Sequence, residues 1–279
     1  MSLITVDELH RRLGAPDLRV ADVRWYLKRE GEGRRAYESG HISGAIFLDL
    51  SSDLSAPEGP GRHPLPEPAE LARRLGERGI GDDHLVVAYD DAGGTSAARL
   101  WWMLDNLGHE RVAVLDGGIQ AWVAAGQPLE TDEPDWPPAR LHLAERWTKT
   151  IDRSELTDRL GTLTLLDARA PERYRGETEP IDPAAGHIPT AVNAPTSDNL
   201  DADGRFLDGR QLRARFSDLN DPAMPVVTSC GSGTTACHNA LAMRLAGLPD
   251  PILYVGSFSD WSRSGMPVAT GAEPGEPTT

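Results

Sequence analysis

The sequence predicts an α/β protein of two domains, each a mostly parallel sheet with helices on both faces. Three observations predict it. Short apolar runs alternate with amphipathic segments through the 279 residues, the pattern of βα units. The chain is also written twice. "LVVAYDDAGGTSAARLWWMLDNLG" (85–108) answers "PVVTSCGSGTTACHNALAMRLAG" (225–247). Laying Cys230 on Asp91 sets an offset of 139 residues, at which Gly108 falls on Gly247, Trp122 on Trp261, Gly126 on Gly265 and Pro128 on Pro267 without a gap. Finally, Cys230 stands where an apolar run meets a small-residue loop, and parallel sheets bind ligands at such strand ends.

Each half opens with a capped helix. Thr5-Val-Asp-Glu8 has the capping-box pattern and Asp152-Arg-Ser-Glu155 a variant of it. "RVADVRW" (19–25) answers "TLLDARA" (164–170), and "GHISGAIFLDL" (40–50) answers "GHIPTAVNAP" (186–195). In the second half strands are expected near 163–168, 191–194, 225–229 and 251–255. Helices are expected near 153–160, 208–217, 234–246 and 257–263. The proline- and charge-rich stretch 130–148 reads as a linker. The domains are then 1–129 and 149–270, of ordinary size, with 271–279 as a flexible tail.

The totals exclude several classes. A net charge of -15 and a pI near 4.9 repel phosphate backbones and anionic membranes, so neither nucleic acid nor a membrane is an expected partner. A small anion remains open, because a helix N-terminus supplies a local positive field. No apolar run approaches the roughly 18 residues of a membrane span. The N-terminus lacks the features of a signal peptide, and a cytoplasmic location is expected. The two cysteines cannot build a disulfide framework. The eight histidines show no metal-ligand spacing, so neither metal nor cofactor is expected.

After Cys230 come Gly231, Ser232, Gly233, Thr234, Thr235 and Ala236. Glycines let successive N–H groups turn inward, and with the first turn of the following helix they form an anion cradle that favours a thiolate. Cys230 is therefore the candidate nucleophile. Cys237 falls inside the helix, as a packed small residue. Phosphate-ester chemistry by a C-x5-R loop wants a cation six residues after the cysteine, and that position is Ala236; the loop has no Lys or Arg. Sulfur transfer fits better. Cys230 attacks an outer sulfur, holds it as a persulfide and passes it on.

These residues carry a resemblance. "VLDGGIQAW" (114–122), "RYRGETEP" (173–180), both "GHI" segments and "SCGSGTTA" (229–236) are similar to the tandem-domain rhodanese family of thiosulfate and 3-mercaptopyruvate sulfurtransferases. The resemblance runs from about residue 17 to 268 and implies two rhodanese-like domains. The first has lost its cysteine, with Asp91 in its place; the second is catalytic. It further implies that Cys230 carries the persulfide, that Gly231, Ser232, Gly233, Thr234 and Thr235 surround it, and that Arg173 contacts the donor. His41 and His187 are read as turn braces. The resemblance also makes His41 a candidate for a relay to Ser232, because some mercaptopyruvate enzymes use a first-domain histidine so. His63, in "GRHPLP", is read as lining the boundary of the halves.

The "CGSG" loop resembles mercaptopyruvate enzymes, whereas thiosulfate enzymes tend to carry Arg and Lys after the cysteine. Mercaptopyruvate enzymes often place a second arginine after "EP"; here Ile181 and Asp182 follow. The expected activity is transfer from a small anionic donor, 3-mercaptopyruvate favoured and thiosulfate the alternative. The acceptor is cyanide or a thiol, thioredoxin among them. A persulfide carrier without turnover is a further alternative. A second full-length domain speaks against it, since a carrier needs an open site.

Overall fold

Every residue of the strands Leu18–Asp22 (β2) and Leu85–Tyr89 (β4) is buried. "LRVAD" and "LVVAY" do not alternate, and strands covered on both faces need no polar side. In a computed structural model, which describes residues 2–219 and 223–277, these strands lie inside one of two units. Unit 1 comprises Met1–Pro57, Leu65–Thr148 and Asp201–Phe206. Unit 2 comprises Glu58–Pro64, Lys149–Leu200 and Leu207–Thr279. Each half of the chain thus gives a short segment to the other unit.

Unit 1 runs β1 (Leu3–Ile4), α1 (Val6–Arg12), β2, α2 (Glu32–Ser39), β3 (Ala45–Phe47), α3 (Pro68–Glu77), β4, α4 (Ala97–Asn106), β5 (Val112–Leu115) and α5 (Gly118–Ala124). Its five strands are parallel in the order β1-β5-β4-β2-β3. Unit 2 runs β6 (Thr150–Ile151), α6 (Arg153–Arg159), β7 (Thr164–Asp167), α7 (Pro171–Tyr174), β8 (Ala191–Asn193), α8 (Gly209–Leu219), β9 (Val226–Ser229), α9 (Ala236–Leu245), β10 (Ile252–Tyr254) and α10 (Ser257–Trp261). Its order, β6-β10-β9-β7-β8, repeats that of unit 1. Among the described residues no helix is long and apolar enough to cross a membrane.

The repeat holds at atomic detail. Trp122 and Trp261 are both fully buried, and their Nε1–H groups donate to Pro128 O at 2.9 Å and Pro267 O at 2.8 Å. Arg24 pairs with Asp22 and donates to Gly40 O, as Arg169 pairs with Asp167 and donates to Gly186 O. The capping box of Thr5 and Glu8 is closed in both directions, and Asp152 accepts from Glu155 N at 2.9 Å.

Residues 130–148, expected as a linker, are bonded along unit 1. Ala139 N donates to Gly76 O and Ala144 N to Leu107 O, both at 2.9 Å, and the Trp136 ring lies 4.0 Å under the Arg19 guanidinium. The expected tail is held likewise through its described part: Pro274 O accepts from Thr190 N at 2.7 Å, and Glu273 O lies 3.1 Å from His187 Nε2. Residues 278–279 of that tail lie outside the described residues.

Candidate active site

Strand β9 ends at Ser229, and the next residue, Cys230, is only 1% exposed. Its Sγ accepts hydrogen bonds from Ser232 N at 3.4 Å and Gly233 N at 3.1 Å. Gly233 has φ 76°, and a Cβ there would lie 2.3 Å from Val255 O, so the turn that aims these amides needs glycine. Thr234 O and Thr235 O accept from Cys237 N and His238 N and lead into α9. The amides of α10 tie the loop down from the other side: Phe258 N donates to Cys230 O and Ser259 N to Gly231 O. Ser257 Oγ accepts from Cys230 N at 3.1 Å and lies 4.0 Å from Sγ.

The segment Glu58–Pro64 brings two side chains to this loop. It docks through Gly61, where a Cβ would lie 2.5 Å from Gly256 O, and through Arg62 N, which donates to Ser259 Oγ at 3.0 Å. His63 Nδ1 then lies 2.9 Å from Ser232 Oγ and 3.5 Å from Thr234 Oγ1, with His63 and Ser232 both buried. Arg62 pairs with Asp182. Arg173 donates to both oxygens of Glu179, at 2.8 and 2.9 Å. A Cβ at Gly231 would lie 2.9 Å from Arg62 Nη2 and 3.5 Å from Arg173 Nη1. The loop carries no cation of its own, yet two guanidinium groups reach its first glycine. Burial opposes the charge on Glu179, but the Asp182 N–H and Arg173 hold its carboxyl below the usual range. Burial also opposes the charge on Arg169, which Asp167 and Glu179 nevertheless favour.

The sequence-based candidates Cys230, Gly231, Ser232, Gly233, Thr234 and Arg173 come together here, and Thr235 stands at the N-cap position of α9 behind them without a side-chain capping bond. The relay through His41 is not found. His41 is fully buried and stacked on Tyr37 at 3.9 Å, and its ring nitrogens face Tyr37 O and Asp132 O at 2.9 and 3.2 Å. His187 repeats this arrangement with Tyr174. Both braces shape a turn, and the histidine at Ser232 is His63. Arg62 and His63 were legible only as neighbours in "GRHPLP"; Ser257 gave no signal. Cys237 is buried, with Sγ 3.4 Å from Gly233 O.

In unit 1 the matching loop holds no cysteine, and a carboxylate fills its cradle. Asp90 Oδ1 accepts from Ala92 N and Gly94 N, and Oδ2 from Ser96 N and Ala97 N, at 2.7–2.9 Å. Complete burial pushes the Asp90 carboxyl up, against the pull of these four donors. Asp91, opposite Cys230 in the repeat, accepts a hydrogen bond from Tyr26.

A doubled parallel α/β fold with a cysteine in the strand-end loop of one copy defines the class. The Rhodanese-like domain matches residues 5–125 and 152–264, and the chain belongs to that family. It is 50% identical over 278 residues to a probable 3-mercaptopyruvate sulfurtransferase of Pseudomonas aeruginosa, covering 96% of this chain and 98% of that one. It is 41% identical to the putative thiosulfate sulfurtransferase SseB of Mycobacterium tuberculosis, over 93% of each chain. A crystal structure of SseA from Escherichia coli, described as showing the fold and mechanism of 3-mercaptopyruvate sulfotransferases, superposes with a TM-score of 0.81 at 29% identity, over 93% of this chain and all of that one.

Proposed function

We propose that the protein is a sulfurtransferase that moves sulfur from a small anionic donor, 3-mercaptopyruvate in preference, to cyanide or a thiol through a persulfide on Cys230. The observation that carries this reading is the sulfur of Cys230 under the amides of Ser232 and Gly233. Oriented N–H dipoles stabilise a soft sulfur anion without a metal or a covalent partner.

The Cys230 thiolate attacks the sulfur of 3-mercaptopyruvate. An S–S bond forms, the C–S bond breaks, and its electron pair stays on carbon as the enolate of pyruvate. That carbon takes a proton, which Ser232 delivers and His63 replenishes across their 2.9 Å contact. The donor carboxylate sits on Arg173 and Arg62 in charge-assisted pairs. In the second half-reaction cyanide or a thiolate attacks the outer sulfur, the S–S bond breaks, and Cys230 returns as thiolate. A thioredoxin-type dithiol can serve as acceptor by the same step, and the cytoplasm, which keeps Cys230 reduced, is the compartment we infer.

The name of the Pseudomonas relative supports the mercaptopyruvate assignment. Thiosulfate is the second reading: the two guanidinium groups at Gly231 also suit a doubly charged donor, and the Mycobacterium relative carries that name. Side-by-side kinetics with both donors tests the choice. A higher kcat/KM for 3-mercaptopyruvate is expected, and Arg173→Ala is expected to lose about 2–4 kcal/mol of transition-state stabilisation with that donor. A clear wild-type preference for thiosulfate overturns the donor assignment. Failure to turn over either donor favours a persulfide carrier.

A further inference from the structure

Ile181 and Asp182 follow the Glu-Pro after which the resemblance leads one to expect a second donor-binding arginine, and the Asp182 side chain is fully buried among cations. Oδ1 pairs with Arg62 and lies 3.8 Å from Arg263 Nη1. Oδ2 lies 3.6 Å from Arg173 Nη2 and accepts no hydrogen bond among the described residues. Glu179, the other carboxylate of the cluster, is engaged by Arg173, Arg169 and the N–H groups of Ile181 and Asp182. Arg169 is already matched by Asp167. The cluster is thus three guanidinium groups, Arg62, Arg173 and Arg263, against two carboxylates, Glu179 and Asp182.

We propose that Asp182 sets the charge of the donor site. With it, the cluster of Arg62, Arg173 and Arg263 beside Gly231 keeps about one net positive charge, which matches a monoanionic donor; without it the cluster matches a dianion. This inference rests on the sulfurtransferase reading of the same site. Two features support it. The side chain is desolvated, so its charge acts on the neighbouring guanidinium groups at low dielectric rather than through water. And Oδ2 accepts no hydrogen bond among the described residues, so it acts on Arg173 as a charge rather than as a hydrogen-bond partner.

The test compares wild type with Asp182→Asn, which keeps the shape and removes the charge, and with Arg263→Gln, which removes a half-exposed cation. Steady-state kinetics gives the ratio of kcat/KM for thiosulfate to that for 3-mercaptopyruvate. Calorimetry gives the affinities of sulfate and pyruvate, a dianion and a monoanion that need no turnover. The Asp182→Asn ratio is expected to rise about tenfold, with sulfate binding strengthened more than pyruvate binding. Arg263→Gln is expected to move both quantities the other way, and Asp182→Glu to restore the wild-type ratio. Equal ratios in all variants, movement in one direction for both charge changes, or no sulfate binding in any variant overturns the role of Asp182. Loss of turnover in wild type strikes the sulfurtransferase reading instead, and the binding arm still decides the charge effect. Should Asp182→Asn fail to fold, the exposed Arg263 decides it.

Discussion

Ser257 holds a backbone angle of φ 52° where the repeat places Gly118 at φ 59° in unit 1. A left-handed conformation costs a residue with a Cβ about 1–2 kcal/mol, and strain of this kind persists where the side chain has work to do. Here its hydroxyl accepts the Cys230 N–H. Ser257→Gly removes the strain and also leaves that buried N–H without its partner, so the unfolding free energy is expected to change by less than about 1 kcal/mol. Sulfur transfer is expected to fall about tenfold, and unchanged kinetics would remove Ser257 from the site. The two thiols separate just as sharply: Cys230→Ser is expected to abolish transfer and a folded Cys237→Ser to retain it. His63→Ala is expected to lower kcat about 100-fold with 3-mercaptopyruvate and less with thiosulfate. Sulfite leaves without needing a proton, whereas the pyruvate enolate does not. Equal losses with both donors would assign His63 a packing role.

Among the elements, the turn before β8 carries a similar oddity. Thr190 has φ 72°, the angle of Gly44 in the first copy, and its Oγ1 is buried with no hydrogen-bond partner among the described residues. Thr190→Gly is therefore expected to stabilise unit 2 by about 1 kcal/mol in urea unfolding; destabilisation would show that the methyl group packs usefully. Much at this scale was legible. Strands and helices followed from apolar periodicity, and the GHI turns and the cysteine loop from their glycines. The two-residue strands β1 and β6 were too short to show a period, and α7 hides between Pro171 and the loop. What the sequence could not show was long-range pairing. Arg62 meets Asp182 and His63 meets Ser232 across more than a hundred residues, and nothing local to "GRHPLP" says where it docks. The Asp90 plug was hidden for another reason: the repeat aligns Asp91, its neighbour, with Cys230, so composition alone pointed to the wrong carboxylate.

At the scale of the whole molecule, histidine burial contributes to the response to pH. Burial lowers the pKa of His109 and of His84, both in unit 1, from 6.5. At these two histidines the unfolded chain then binds more protons than the folded one as pH falls through that value, so they lower the stability of unit 1 from about pH 7 toward pH 5. Thermal melts across that window are expected to shift downward, and His109→Gln to flatten the slope; a slope unchanged by the substitution would place the sensitivity elsewhere. One fold written twice closes its strand-end loop with Asp90 in unit 1 and, in the proposed mechanism, carries sulfur on Cys230 in unit 2. Intact-protein mass spectrometry after mixing with 3-mercaptopyruvate, with no acceptor present, tests it most directly. The protein is expected to gain the mass of one sulfur atom, to lose it on addition of cyanide, and to gain nothing as Cys230→Ser. A wild-type protein that turns over yet never carries the added sulfur would contradict the persulfide account.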